Sequence, residues 1–137
     1  MIRDSFQIPR YRWTVVMYYG ADRDDAEELL HDLRQAGCAG DFLRTAREQL
    51  HSGNLNTGMT YTNYGRRLTL ISIGRATSPL QLLNTLQHEQ RHLETHIATA
   101  CHLDPFGEEI CYLAGYVAEK TFPRMFEMEI RSELPLS

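Results

Sequence analysis

The chain has few cysteines, and none of them form a C-x-x-C pair. Its three cysteines, Cys38, Cys101 and Cys111, are spread over 137 residues. An odd, scattered set of this kind indicates neither a disulfide framework nor a zinc site built from cysteine alone. We expect Cys111 to be a small buried residue of its helix rather than a nucleophile.

Long apolar runs and an excess of basic residues are also missing. No window approaches the ~20 apolar residues of a membrane-spanning helix, and the Arg and Asp after Met1 do not form the apolar core of a signal peptide. With 14 basic and 18 acidic residues, the net charge is −4. We therefore expect one domain over residues 1–137 that works in the cytoplasm, with neither nucleic acid nor a membrane as its partner.

What the sequence does contain is an HExxH pattern, HEQRH at residues 88–92. Two histidines four residues apart lie one turn apart on the same face of a helix, where both imidazoles can bind one Zn²⁺. A glutamate after the first histidine lies close enough to take a proton from water on the metal. The pattern predicts His88 and His92 as zinc ligands and Glu89 as the general base of a hydrolase.

The surrounding residues predict a helix through both histidines. Ser78 is a suitable N-cap, Pro79 suits the first helical position, and Gln81 completes an S-x-x-Q capping box. Nothing breaks the helix before about Ala100. Its apolar residues share one face that lies nearly opposite His88 and His92: Leu82, Leu86, Leu93, Ile97 and Ala100. The histidines are therefore not expected to fill the core.

Two other interpretations of the motif remain open. In the first, Glu and His are ordinary polar residues of a solvated helix face. In the second, His92 and His96 form the metal pair, with Cys101 or His102 as further ligands, although that arrangement lacks a placed base. His88 and His96 cannot share one metal, because eight residues of helix separate them by ~12 Å.

A catalytic zinc needs a third protein ligand, and the nearest candidates are Glu108 and Glu109. Both open a second helix that is predicted to begin at residues 104–105 and to end before Pro123. Acidic residues are also favoured in the first turn of any helix by its dipole, without a metal. Glu119 is a further candidate if the two helices meet at a different level.

The rest of the chain predicts a small sheet and two more helices. Aromatic and β-branched residues indicate a strand over 11–19, and apolar spacing indicates a helix over 24–35 and another around 42–50. Residues 57–64 and 66–74 are predicted to form two strands joined by a turn. The order βααββαα predicts an α+β domain with a small antiparallel sheet. Residues 69–73 are a candidate for edge pairing with a peptide, although a core strand is the simpler interpretation.

Residues 108–116, EEICYLAGY, add a resemblance to the HExxH motif. Together they resemble the small HExxH proteins of phages and conjugative elements, in which an E-x-x-A-Y-L-x-G-Y helix follows the active-site helix. More distantly they are similar to minimal gluzincins, including the ImmA/IrrE group. The resemblance covers about residues 78–120. It implies a zincin-type fold, zinc as cofactor, His88, His92 and Glu108 as ligands, and Glu89 as base.

These patterns predict a zinc-dependent metallopeptidase or peptidase-like hydrolase that acts on a peptide or protein. Zn²⁺ would polarise the scissile carbonyl, and Glu89 would accept the proton of the attacking water. Among the tyrosines, Tyr116 is our candidate for stabilising an oxyanion. The alternatives are a non-catalytic zinc-binding interaction module of a mobile genetic element and a helical partner-binding protein whose HExxH is accidental.

Overall fold

A computed structural model describes residues 1–52 and 58–133 of the chain, with side chains as far as Met128. In this part, the elements in chain order are β1 (Ile2–Ile8), β2 (Trp13–Ala21), α1 (Ala26–Gln35), α2 (Gly40–His51), β3 (Gly58–Asn63), β4 (Leu68–Gly74), α3 (Pro79–Cys101) and α4 (Glu108–Glu133). Two short 3-10 turns precede β2 and α1. The α+β class is confirmed. The predicted start of a strand at Thr57 lies outside the described residues.

The four strands form one sheet in the order β1-β2-β4-β3. The predicted antiparallel sheet is wrong at its centre, because β2 and β4 run parallel while the two outer pairings are antiparallel. The connection from β2 to the β3–β4 hairpin passes through α1 and α2, which is long enough to bring the chain back in the same direction. The sheet is therefore mixed.

Helices cover both faces of the sheet. Alternate residues of β2 point to opposite sides, so that Val15 and Met17 pack toward α3 and α4 while Val16 and Tyr18 pack toward α1 and α2. β2 is buried on both faces as a result. Among the described residues, no helix is long and apolar enough to cross a membrane.

The first strand, β1, is absent from the predicted order. Its burial alternates along Ile2–Ile8, but Arg3, Asp4 and Ser5 interrupt the apolar pattern, so the segment lacks the run that marks β2. The strand forms because its backbone pairs with β2 along its whole length, from Ile2 opposite Tyr19 to Ile8 opposite Trp13. Pairing with a neighbour is a tertiary effect that local composition does not contain.

The predicted end of the last helix before Pro123 is also wrong, because α4 continues through this proline to Glu133. Proline removes one backbone donor and leaves the carbonyl of residue 119 without its helical partner. Pro123 and Glu119 are both exposed, so water can bind that carbonyl. Buried Thr121 and Met125 on the opposite side hold this part of the helix against the core.

The prediction for α3 is confirmed. Ser78 accepts a hydrogen bond from the backbone N–H of Gln81, and Pro79 is the first helical residue. The side chain of Gln81 binds Thr77 rather than the backbone N–H of the cap. Leu86, Leu93 and Ile97 are almost completely buried, while His88 and His92 are exposed, as the spacing predicts. Cys111, expected to be buried, is exposed.

Candidate metal centre

His88 and His92 lie one turn apart on the exposed side of α3, with their Nε2 atoms 3.3 Å from each other. The imidazole centroids are 5.0 Å apart and the rings stand nearly perpendicular. Two nitrogen lone pairs at this distance repel each other unless a proton or a cation lies between them. The two nitrogens therefore either share one N–H···N hydrogen bond or hold a cation between them.

The separation of the two nitrogens fits a tetrahedral zinc site. With Zn–N bonds of ~2.0–2.1 Å and an angle of ~109°, two ligand nitrogens lie ~3.3–3.4 Å apart. The observed 3.3 Å equals that edge. Zn²⁺ also accepts imidazole nitrogen readily, so both the geometry and the donor type suit this metal.

Glu89 lies beside the histidines but is turned toward the sheet. It is only 5% exposed, and its Oε2 accepts a hydrogen bond of 2.5 Å from the hydroxyl of Thr60 on β3. Its other oxygen, Oε1, lies 4.0 Å from Nε2 of His88. This distance exceeds a tetrahedral edge of ~3.3–3.4 Å, which suits a carboxylate beside a metal better than a direct ligand.

Gly58 of β3 makes room for Glu89. A Cβ atom at this position would lie 2.5 Å from Cγ and 2.7 Å from Oε1 of Glu89. Both distances are shorter than carbon and oxygen atoms tolerate, so a larger residue at position 58 would force the Glu89 side chain out of its place. Thr60 and Gly58 together hold the carboxylate between β3 and the histidines.

The His88–Glu89–His92 group opens into a cleft of about 290 Å³. One wall comes from α2, the other from α3, and the floor is β3, whose outer side forms the edge of the sheet within the described residues. The α2 wall consists of Phe42, Thr45, Ala46 and Gln49. Residues 69–73, the candidate for edge pairing with a peptide, lie in β4. This strand is flanked by β2 and β3, so it is not an edge strand and the candidate is wrong.

The predicted third ligand, Glu108, does not join this group. Across the part of the chain that the structure describes, His88, Glu89 and His92 are the only group of three or more His, Cys, Asp or Glu side chains whose ligand atoms all lie within 4.8 Å of one another. α4 packs on the flank of α3 that carries Gln90, which hydrogen-bonds Thr121 and lies ~200° round the helix from His88. Glu108 lies 13 residues before Thr121, or ~20 Å along α4. The two helices thus place Glu108 far from the histidines.

The other acidic candidates and Tyr116 also lie elsewhere. Glu109 pairs with Arg10 at 2.7 Å, and Glu119 is an exposed residue of α4. The hydroxyl of Tyr116 donates to the carbonyl of Gln7 on β1, at 2.8 Å. Tyr116 is therefore outside the cleft, and the geometry does not support the oxyanion role predicted for it.

His96 lies one turn beyond His92, with ring centroids 6.2 Å apart. Its Nδ1 is 2.8 Å from the hydroxyl of Thr62, a residue of β3 on the same face as Thr60. Partial burial, and to a smaller extent the neighbouring His92, lower the pKa of His96 below its usual value. The ring centroids of His92 and His96 lie farther apart than the 5.0 Å between those of His88 and His92, so the geometry favours the His88/His92 pair over the alternative His92/His96 metal pair.

Gly58 and Thr60 were not recognised in the sequence as parts of the site. Alternation along Gly58–Asn63 puts residues 58, 60 and 62 on one face of the strand, and two of these are threonines. A polar face on a strand next to an HExxH helix was the available signal. Nothing in the sequence showed that this face packs on α3 rather than on α1 and α2.

Comparison with protein-family models, curated proteins and solved structures finds no match to this chain. Any assignment of chemistry therefore depends on the residues of the site themselves.

Proposed function

We propose that the chain is a zinc-dependent metallopeptidase or peptidase-like hydrolase whose active-site helix, of the zincin type, is α3. The observation that carries this proposal is the 3.3 Å separation of the His88 and His92 nitrogens, with Glu89 beside them in an open cleft. His88 and His92 would hold the metal. A bound zinc ion supplies Lewis acidity, which polarises a carbonyl group and makes a coordinated water acidic near neutral pH.

Glu89 is the general base in this proposal. Its Oε2 is fixed by Thr60, so Oε1 is the oxygen that remains to receive a proton on the side of His88. Glu89 accepts a proton from the attacking water and later passes it to the leaving amine. Because the carboxylate is held on both sides by β3 and α3, it needs little reorganisation to reach the reactive geometry.

The edge of β3 supports an extended peptide as the substrate. An edge strand offers unpaired backbone N–H and C=O groups, and a peptide can add to it as a further strand. Gly58, Met59 and Thr60 line both this edge and the cleft, so a peptide paired with β3 passes directly in front of His88 and His92. Phe42 on the opposite wall offers an apolar contact for one substrate side chain.

The position of Glu108 favours a second candidate function. With α4 on the opposite flank of α3, the described residues supply two imidazoles and one adjacent carboxylate to the centre, and no further carboxylate. Such a centre suits a non-catalytic zinc-binding interaction module, in which the metal stabilises the α3–β3 contact or binds a side chain of a partner.

Turnover by the Glu89→Gln variant separates the two candidates. Zinc-loaded wild type and variant are incubated with a mixture of unstructured peptides, and cleavage is followed by mass spectrometry. The enzyme proposal expects cleavage by the wild type and a loss of several orders of magnitude in the variant, with the zinc content unchanged. Zinc-loaded wild type that cleaves nothing, or a variant that cleaves as fast as the wild type, favours the interaction module.

A further inference from the structure

A chain of hydrogen bonds runs from the core of the sheet to His96. The indole N–H of Trp13 donates to the hydroxyl of Thr69 at 2.8 Å, and the hydroxyls of Thr69 and Thr62 are 2.8 Å apart. Thr62 is in turn 2.8 Å from Nδ1 of His96. Thr62 and Thr69 are directly opposite each other on β3 and β4, so the sheet register itself lines up the two hydroxyls. Trp13 and Thr69 are fully buried.

The direction of this chain follows from its first donor. An indole N–H can only donate, so the oxygen of Thr69 accepts and its own hydrogen is left to donate to Thr62. Thr62 then donates to Nδ1 of His96. Any other arrangement leaves a hydroxyl hydrogen without an acceptor among the described residues, which is unfavourable in a buried place. Nδ1 is therefore the acceptor, and the single ring proton of neutral His96 is on Nε2.

The Nε2 atom of His96 has no hydrogen-bond partner among the described residues. It is not among the fully buried polar atoms that lack a partner, so part of it remains exposed. The ring lies one turn from His92, with the two planes inclined by 35°. His96 extends the row formed by His88 and His92 along the same side of α3.

We propose that His96 presents this Nε2–H as a fixed hydrogen-bond donor to the oxyanion that forms on the scissile carbonyl, with Trp13, Thr69 and Thr62 as positioning residues. The inference rests on the proposed hydrolase function. Glu89 moves the proton, and His96 keeps its own, stabilising the developing negative charge without transferring a proton. The hydroxyl of Tyr116 is bonded to Gln7 and does not provide such a preorganised donor, whereas His96 would provide it.

A simpler role for the network is to satisfy the indole of Trp13. Thr69 accepts from that indole, and Thr62 and Nδ1 of His96 in turn accept the hydroxyl hydrogens of Thr69 and Thr62, so this role is complete without a ligand at Nε2. The two roles predict different effects of replacing His96 on binding at the metal centre. A structural network leaves binding at the metal centre unchanged when His96 is replaced, whereas a donor to the oxyanion does not.

The tautomer of His96 tests the hydrogen-bond chain without any assay of activity. Long-range ¹H–¹⁵N correlation spectra of the zinc-loaded full chain at neutral pH should show His96 protonated at Nε2 and unprotonated at Nδ1. Thr62→Val should shift the resonances toward a mixture of tautomers. Thr14→Val, which removes the exposed hydroxyl bonded to Gln7, is the matched control and should leave them unchanged. A proton found on Nδ1 in the wild type overturns the inference.

Binding of a tetrahedral anion tests the donor role. The probes are phosphonamidate dipeptides, whose anionic oxygens imitate the tetrahedral species formed during peptide hydrolysis. With zinc content unchanged, His96→Ala should weaken their binding about 100-fold, and His96→Gln, which keeps an N–H donor, should weaken it less. Thr62→Val should fall between wild type and His96→Ala.

The outcomes separate the inference from the proposed function. If the wild type binds zinc and the phosphonamidates, and His96→Ala binds both equally well, the donor role is refuted while the hydrolase proposal stands. If the zinc-loaded wild type binds none of the phosphonamidates, the donor has no anion to serve and the inference also fails. If the wild type does not bind zinc, the proposed function fails first.

Discussion

The hydroxyl of Thr60 donates to Oε2 of Glu89 over 2.5 Å, and this bond ties the edge strand β3 to α3. The carboxylate is nearly buried, so it depends on this partner for one of its two oxygens. The position of the Glu89 carboxylate, the proposed base, is thus set by a strand residue 29 positions away in sequence.

Replacing Thr60 by Val should lower the free energy of unfolding by about 1.5–3 kcal/mol, because a buried charged acceptor loses its donor without a change in side-chain shape. Thr60→Ser keeps the hydroxyl, so its free energy of unfolding should fall by less. Urea unfolding of both variants measures the difference, with Thr14→Val as a control for removing an exposed threonine hydroxyl. Equal stability of Thr60→Val and Thr14→Val would show that the bond to Glu89 does not contribute.

Gly58→Ala should destabilise the protein by about 1–3 kcal/mol, because the added Cβ overlaps with Cγ and Oε1 of Glu89. It should also weaken zinc binding by displacing Glu89 toward the histidines. Gly115→Ala is the matched control: its Cβ meets nothing within 4 Å, and alanine in a helix is favoured over glycine by about 0.5–1 kcal/mol. In thermal unfolding, Gly58→Ala should lower Tm and Gly115→Ala should raise it. A lower Tm for Gly115→Ala together with an unchanged Tm for Gly58→Ala would contradict this geometry.

Glu108→Ala and Glu109→Ala should each leave zinc affinity within about twofold of the wild type, because both residues begin the helix that packs on the far flank of α3. A competition titration with a chromogenic chelator measures the three affinities. A large loss in Glu108→Ala alone would mean that α4 approaches the histidines more closely than the Gln90–Thr121 contact implies. Such a result would restore the ligand set implied by the resemblance.

The cysteines should differ in reactivity toward alkylating reagents. Cys38 is 4% exposed, and burial raises the pKa of its thiol, so less of the reactive thiolate is present at any given pH. Cys111 is exposed and should react first when iodoacetamide labelling is mapped by mass spectrometry. A raised pKa in the fold also means that the thiol stabilises the protein below its unfolded pKa and that this contribution is lost as pH rises through the folded value. If Cys38 is labelled as fast as Cys111 at a pH below the unfolded pKa of its thiol, the burial of Cys38 is contradicted.

The helix that carries the motif was predictable because its signals are local. Ser78 and Pro79 mark its start, and the leucine spacing separates the buried face from the face with His88 and His92. These features depend on residues within one or two turns of each other. Local sequence was therefore enough to place the histidine pair.

The rest of the site depends on contacts between distant segments. The contact of β3 with α3, which brings Gly58 and Thr60 to Glu89, arises from the order of strands in the sheet, and this order includes a parallel pair that no local pattern encodes. The position of Glu108 was likewise inferred from residue spacing, whereas the flank of α3 that receives α4 is decided by the packing of Gln90 and the buried leucines. Spacing along a chain does not specify the direction from which a second helix approaches.

Zinc content of the purified protein is the most direct measurement of the central claim. After purification without chelators and exposure to zinc, elemental analysis of the wild type should give about one zinc per chain, and His88→Ala and His92→Ala should each lose it. Glu89→Gln should retain it, because the 4.0 Å separation from His88 suits a base rather than a ligand. A wild type as poor in zinc as His92→Ala would contradict the metal centre, and loss of zinc in Glu89→Gln would make Glu89 a ligand instead of the base.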